Sequence, residues 1–305
     1  MFKQSFKVFF TIVMILFVFF SCSRTKKTSV VRINNSPSMT SATGHLIKEL
    51  KLMEKYLPQV IKVEWSDIAV GPDIRDAIVS EKVDIGDIAV ISYLSAVENN
   101  YPLVMLSSAG KTQINVYSNR SDIKSFNDFT SSDRIAITSK GTNLHAAFMT
   151  KCYQIFGDPM KFDNLLVSIP AADAIASIQS SNDFDGAIFS FPNTVRVKDI
   201  ANLTLISDMS DVINEYNIGS LYFTSESFYK NNPELIDAFL KAQIDANNFA
   251  ATDPEKAAEV LSRIFEIEKD CLVEALLALP LTNVASGLEK QAEILYGAGM
   301  LKNKP

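Results

Sequence analysis

From Val30 onward, short β-rich runs alternate with longer amphipathic stretches, and this order limits the possible folds more than any other property. Strand-then-helix alternation builds α/β proteins whose sheets are largely parallel. Val30-Val31-Arg32-Ile33-Asn34 reads as a first strand, closed by Asn35-Ser36-Pro37-Ser38. Leu46, Leu50, Met53 and Leu57 recur at helical spacing and predict a helix that stops before Pro58. A second strand is expected at 60–65, a second helix from Gly71-Pro72-Asp73, a third strand and turn at 84–91, a short helix from Ser92 and a strand at 103–106.

A second, similar set follows Val116-Tyr117-Ser118. It has strands at 134–138, 165–169, 187–191 and 203–206, and helices at 144–156 and 171–179. From Pro233 the chain reads as nearly all helix. Asn232-Pro233-Glu234 and Asp253-Pro254-Glu255 each set a cap residue before a first-turn proline. Ser286 with Glu289 predicts a capping box, and Gly297 a helix stop.

At 305 residues and 47% hydrophobic, the chain can bury two domain-sized cores. A formal charge of −6 argues against nucleic acid, whose phosphates call for a basic footprint. Two histidines and three cysteines argue against a zinc cluster or a disulfide framework, so no metal and no cofactor is expected. Cys152 and Cys271 read as buried thiols.

The N-terminus carries Lys3 and Lys7, then an apolar run over 8–20 broken only by Thr11. A helix over that run rises roughly 20 Å, short of the roughly 30 Å hydrocarbon core. A signal peptide over 1–21 fits better than a membrane span, with an uncleaved anchor helix as the alternative. Ser21-Cys22 after the apolar run resembles the bacterial lipobox, which implies lipidation at Cys22 and a polar linker over 22–29. The body is then extracytoplasmic, in the periplasm or on the cell surface, held to a membrane by its lipid.

Ligands of open parallel sheets bind where strand ends meet helix starts, whose N–H groups are unpaired and whose dipole end is positive. Ser36, Ser38, Thr40, Thr142 and Asn143 lie at such junctions and are candidates, although plain helix capping also explains each one. Met39, Trp65 and Phe191 fall at the same ends and would supply apolar wall. Phe189 and Phe191 alternate along one strand; Phe191, next to Asn193 at the strand end, is the one expected in the cleft. Trp65 otherwise packs between lobes.

Several stretches together resemble the solute-binding proteins of ABC importers, of the nitrate/sulfonate/taurine and thiamine-precursor type. They are Val83-Asp84-Ile85-Gly86, Tyr101-Pro102-Leu103-Val104-Met105-Leu106, residues 121–129, Arg134-Ile135-Ala136-Ile137, Gly141-Thr142-Asn143-Leu144-His145, and the helices from Asn232 and Asp253. The resemblance spans about 30–265. It implies a type II periplasmic-binding-protein fold: two α/β lobes and a two-segment hinge near 109–116 and 216–223. Lobe I would take 30–112, lobe II 113–215, and 216–305 would return to lobe I and end in C-terminal helices.

By the same resemblance Gly141 and His145 belong to a ligand loop, and Asp87 and Ala89 to the turn after the third strand. The family's Gly-x-x-Gly-x-x-Pro is here Gly86 to Ser92, without its second Gly and its Pro. Asp87 would repel an anion if it faced the cleft. Lys140, Arg75, Arg196 and His45 are weaker candidates, read as surface or packing residues. The implied function is capture of a small-molecule ligand, either a sulfonate-, nitrate- or taurine-like anion or a thiamine-precursor pyrimidine, by a monomer that delivers it to an ABC permease without catalysis. Alternatives are an enzyme on the same fold, of the pyrimidine-precursor or chorismate-dehydrating kind, and a ligand sensor without transport.

Overall fold

The computed structural model describes residues 30–180 and 183–303. The expected signal peptide, Cys22 and the linker lie outside the described residues. The chain lays down β1 (Val30–Asn34), β2 (Lys62–Ser66), β3 (Ile85–Ala89) and β4 (Leu103–Lys111) before crossing to a second sheet. That sheet takes β5 (Ile114–Ser118), β6 (Ile135–Ile137), β7 (Leu166–Ser168), β8 (Gly186–Ser190) and β9 (Thr204–Ser207). β10 (Gly219–Ser225) then returns to the first.

The strand orders are β2-β1-β3-β10-β4 and β7-β6-β8-β5-β9. In each sheet one strand runs against its neighbours: β10 is antiparallel to β3 and β4, and β5 to β8 and β9. The remaining pairs are parallel, so their C-terminal ends share one edge. This is the expected two-lobed α/β architecture.

In the first lobe, α1 (Ala42–Glu49), α2 (Gly71–Val79) and α3 (Val90–Glu98) follow the strands. α4 (Asn143–Phe156), α5 (Ala171–Ser180), α6 (Asn193–Val197) and α7 (Ser210–Glu215) serve the second. After β10 come α8 (Glu226–Asn231), α9 (Pro233–Thr252), α10 (Pro254–Phe265), α11 (Lys269–Ala278) and α12 (Leu288–Gly297). α9 buries Leu235, Ile236 and Phe239, and the Phe239 ring meets Tyr222 of β10 edge-on at 4.8 Å. Each such side chain withdrawn from water stabilises the fold by about 1.5–3 kcal/mol. Ile294 and Leu295 of α12 instead join the second-lobe core with Phe148 and Met149, so the C-terminal helix packs across on α4.

Several expectations are corrected. The helix predicted up to Pro58 ends at Glu49, because Lys51 takes φ 52° and the Leu52 N–H reaches back to Ile47 O, after which 53–55 make one 3-10 turn. Leu50 and Met53 keep helical spacing, so the break has no periodic signature. α3 begins at Val90 rather than Ser92, and β4 runs on to Lys111 rather than stopping at 106. Residues 219–223 of the second expected hinge segment lie in the wholly buried β10. A Cβ at Gly219 would collide with the Gly110 carbonyl oxygen, so only glycine permits that pairing. The capping box of Ser286 and Glu289 does not form, since Gly287 holds the N-cap position at φ 73°. Gly297 is still helical, and the left-handed residue beyond it is Gly299. Of the two caps before proline, the Asp253 side chain accepts the Lys256 N–H, whereas the Asn232 side chain donates to Phe228 O.

Cys152 is buried in the second-lobe core, where burial pushes its thiol up to about 12, while Cys271, expected to be buried, is only half-buried. No helix among the described residues is long and apolar enough to cross a membrane.

Candidate functional site

The C-terminal strand ends of the two sheets face one another across a cavity of about 390 Å³. The first lobe contributes 36–40 after β1, Ala69 before α2 and Gly71 at its start, the last three residues of β3 (87–89), and Ser92 in the first turn of α3. The second contributes 141–144 at the start of α4 and Ser190 and Phe191 at the end of β8. Thr112 on the crossing and Ser220 at the start of β10 complete the wall.

Of the residues expected here, Ser36, Ser38, Met39, Asp87, Ala89, Gly141, Thr142, Asn143 and Phe191 line the cavity. Phe189 turns the other way, into the second-lobe core with Tyr117. Three expectations are corrected. Trp65 pairs with Ile33 across β1 and β2 and packs on the first-lobe core, away from the cavity. Asn193 is taken up at the start of α6, where its Oδ1 accepts from Arg196 Nη1 at 3.1 Å. His145 is 3% exposed and both its ring nitrogens are engaged, so it supports the loop from behind.

That support is specific. The Gly141 N–H donates to His145 Nδ1 at 3.0 Å, which makes Nε2 the protonated nitrogen that donates to Asp163 Oδ1 at 2.7 Å. Lys140 Nζ reaches Asp163 Oδ2 at 2.9 Å, and Thr142 Oγ1 donates to Ser139 O at 2.9 Å. Burial would raise the Asp163 carboxyl, but the hydrogen bonds from Lys140 and His145 outweigh it and hold it below the usual range. Burial also lowers the His145 ring, against the pull of Asp163. Lys140 is thereby an anchor for the loop and does not line the cavity.

The floor is a buried polar network on the loop after β1. Asp87 is 1% exposed; Oδ1 accepts the Ser36 N–H at 2.8 Å and Asn34 Nδ2 at 3.3 Å, and Oδ2 accepts Ser41 Oγ at 2.5 Å. Burial pushes this carboxyl up from the ordinary aspartate value, against the hydrogen bonds of Ser41 and Ser36. Asn34 Oδ1 accepts the Ile68 N–H at 2.8 Å and Ser66 Oγ at 3.0 Å, binding the loops after β1 and β2 together. Ser220 Oγ donates to Thr40 Oγ1 at 3.0 Å, which in turn sits 2.7 Å from Ser38 Oγ. The starts of α2 and α4 also open on the cavity, and a helix start favours an anion by about 0.3–1 kcal/mol.

Sequence reasoning left out Thr112, Ser190 and Ser220. Ser190 adjoins Phe191 and could have been inferred from it. Ser220 reaches the cavity only because β10 pairs antiparallel with β3, a long-range event without a local signature.

The NMT1/THI5-like family model matches residues 61–257. No curated protein matches the chain in a sequence search. In structure the chain is similar to the periplasmic aliphatic sulphonate-binding protein of Escherichia coli, with 20% identity, TM-score 0.76, and 91% of this chain and 90% of that one covered. It is similar to the MOPS-bound alkanesulfonate-binding protein of Xanthomonas axonopodis pv. citri, with 16% identity, TM-score 0.69, and 90% and 95% covered. The periplasmic nitrate-binding protein of Synechocystis PCC 6803 follows at 16% identity and TM-score 0.61, with 81% and 70% covered. At these identities the likeness is one of fold.

Proposed function

The chain belongs to the NMT1/THI5-like family, and from that premise we propose that it is the extracytoplasmic solute receptor of an ABC importer. The observation that carries this reading is the cavity walled by strand ends and helix starts from both lobes. A small solute entering it would meet backbone N–H groups, hydroxyls and the Phe191 ring from two sides at once. Binding would stabilise the closed arrangement by its contacts with both walls. Nothing in this cycle needs a covalent step.

In this reading 1–21 is a cleaved leader, Cys22 carries the lipid, and the closed pair of lobes is what an ABC permease recognises. The protein acts as a monomer, with lobe I over 30–112 and the return from 216, lobe II over 113–215, and the C-terminal helix α12 packed on lobe II. The sulfonate and nitrate binding of the structural relatives supports a small polar solute, and a thiamine-precursor pyrimidine is the other class that the resemblance of the sequence implies.

The test is a thermal-shift screen of small solutes followed by small-angle scattering. A true ligand raises the melting temperature with concentration and reduces the radius of gyration as the lobes close. A folded protein that shows neither response to any solute contradicts the reading.

A further inference from the structure

We infer that the cleft takes a solute whose buried part carries N–H donors and no negative charge, rather than an oxyanion. The inference rests on the solute-binding reading and decides between its ligand classes.

Asp87 is the one ionisable side chain among the described residues that line the cavity; no lysine, arginine or histidine joins it. Arg75 borders an adjoining pocket that shares Gly71, Ile88, Ser92 and Gly141 with the cavity. Its guanidinium is held at 2.8 Å from Asp76 Oδ1 and lies 4.5 Å above the Tyr101 ring, so it is already committed.

Asp87 also occupies three first-lobe donors that an oxyanion could use. The Ser36 N–H, the Asn34 amide and the Ser41 hydroxyl all converge on its two oxygens. An incoming sulfonate or nitrate would find these donors spent and a carboxyl in front of it. In neither protonation state does Asp87 supply positive charge.

The opposite wall asks for donors too. Asn143 lines the cavity, and its Oδ1 is buried with no hydrogen-bond partner among the described residues. An amide oxygen can only accept, so a buried one without a donor is satisfied by a ligand N–H or O–H. Thr112 Oγ1, on the crossing between the lobes, is likewise buried and unpartnered. The helix starts at Gly71 and Asn143 still offer N–H groups, which suit a ring nitrogen or carbonyl on the same solute. Met39, Leu144 and Phe191 supply apolar wall for its flat faces.

Calorimetry on the full chain tests this, with cytosine, 4-aminopyrimidine and guanidinium as N–H-bearing probes and ethanesulfonate, sulfate and nitrate as anions. At least one N–H-bearing probe is expected to bind about tenfold or more tighter than every anion. Asp87→Asn, which removes the acidic floor while keeping an acceptor oxygen, is expected to erase most of that preference. Should the variant misfold, the ranking on the unaltered protein stands alone. Tighter binding of an anion overturns the inference and leaves the solute-binding reading in place, as does an unchanged ranking in folded Asp87→Asn. Silence of all six probes with folded protein overturns the inference, while the broader solute screen still judges the function.

Discussion

Gly141 donates its backbone N–H to His145 Nδ1 at 3.0 Å, so a glycine on the cavity wall is held by a buried ring one helical turn away. The bond exists only while Nδ1 has a lone pair. A proton there would remove the acceptor and leave charge in a buried place.

Acid should therefore loosen the loop. Burial holds the His145 ring below its ordinary value of 6.5, so the neutral ring's contribution is complete above that pH and is lost as pH falls through the lowered value. His45, lowered by burial as well, adds to the same limb, and Asp163 contributes only below 3.8. The melting temperature is expected to fall as pH drops below about 6.5, and His145→Ala should flatten part of that fall. An acid limb identical in the variant would refute the role.

Two glycines near the C-terminus should respond in opposite directions. Gly287 has φ 73° and a Cβ there would collide with the Glu215 carbonyl oxygen, whereas Gly297 is helical with open space around it. Gly287→Ala is expected to cost about 3 kcal/mol, and Gly297→Ala to add about 0.5–1 kcal/mol. Urea denaturation of both variants measures this; equal effects would contradict the geometry.

Binding and stability should separate at the start of α4. Asn143→Ala removes a buried oxygen that has no hydrogen-bond partner among the described residues, so stability should change by less than about 0.5 kcal/mol while solute affinity drops about tenfold. Thr142→Ala removes the bond to Ser139 O and should cost about 1 kcal/mol of stability. Calorimetric titration beside differential scanning separates the two. Unchanged affinity in Asn143→Ala would place the solute elsewhere.

Lipidation at Cys22 predicts incorporation of radiolabelled palmitate into cells expressing the protein, lost in Cys22→Ser together with recovery in the membrane fraction. Label retained in the variant would exclude that cysteine as the site.

Strand-and-helix order was readable because each unit has its own local period: Val30–Asn34, Asn143–Phe156 and the long helices from Pro233 and Pro254 stand close to where pattern and caps put them. The strand-end hydroxyls and Phe191 were readable for the same reason, since a parallel sheet delivers its strand ends to one edge. The stop of α1 at Glu49 was not, because Lys51 adopts a left-handed turn while its neighbours keep helical spacing.

The sequence by itself determined the class of fold and which turns could meet at a cleft, because hydrophobic period and capping act over a few residues. Tertiary structure alone decided what those turns do. Asp163 and Lys140 turned His145 from a ligand candidate into a brace, and Asn34, Ser36 and Ser41 closed on Asp87 as the cavity floor. Those contacts join residues far apart along the chain, and a hydrogen bond of that kind exists only once the fold has brought its partners together.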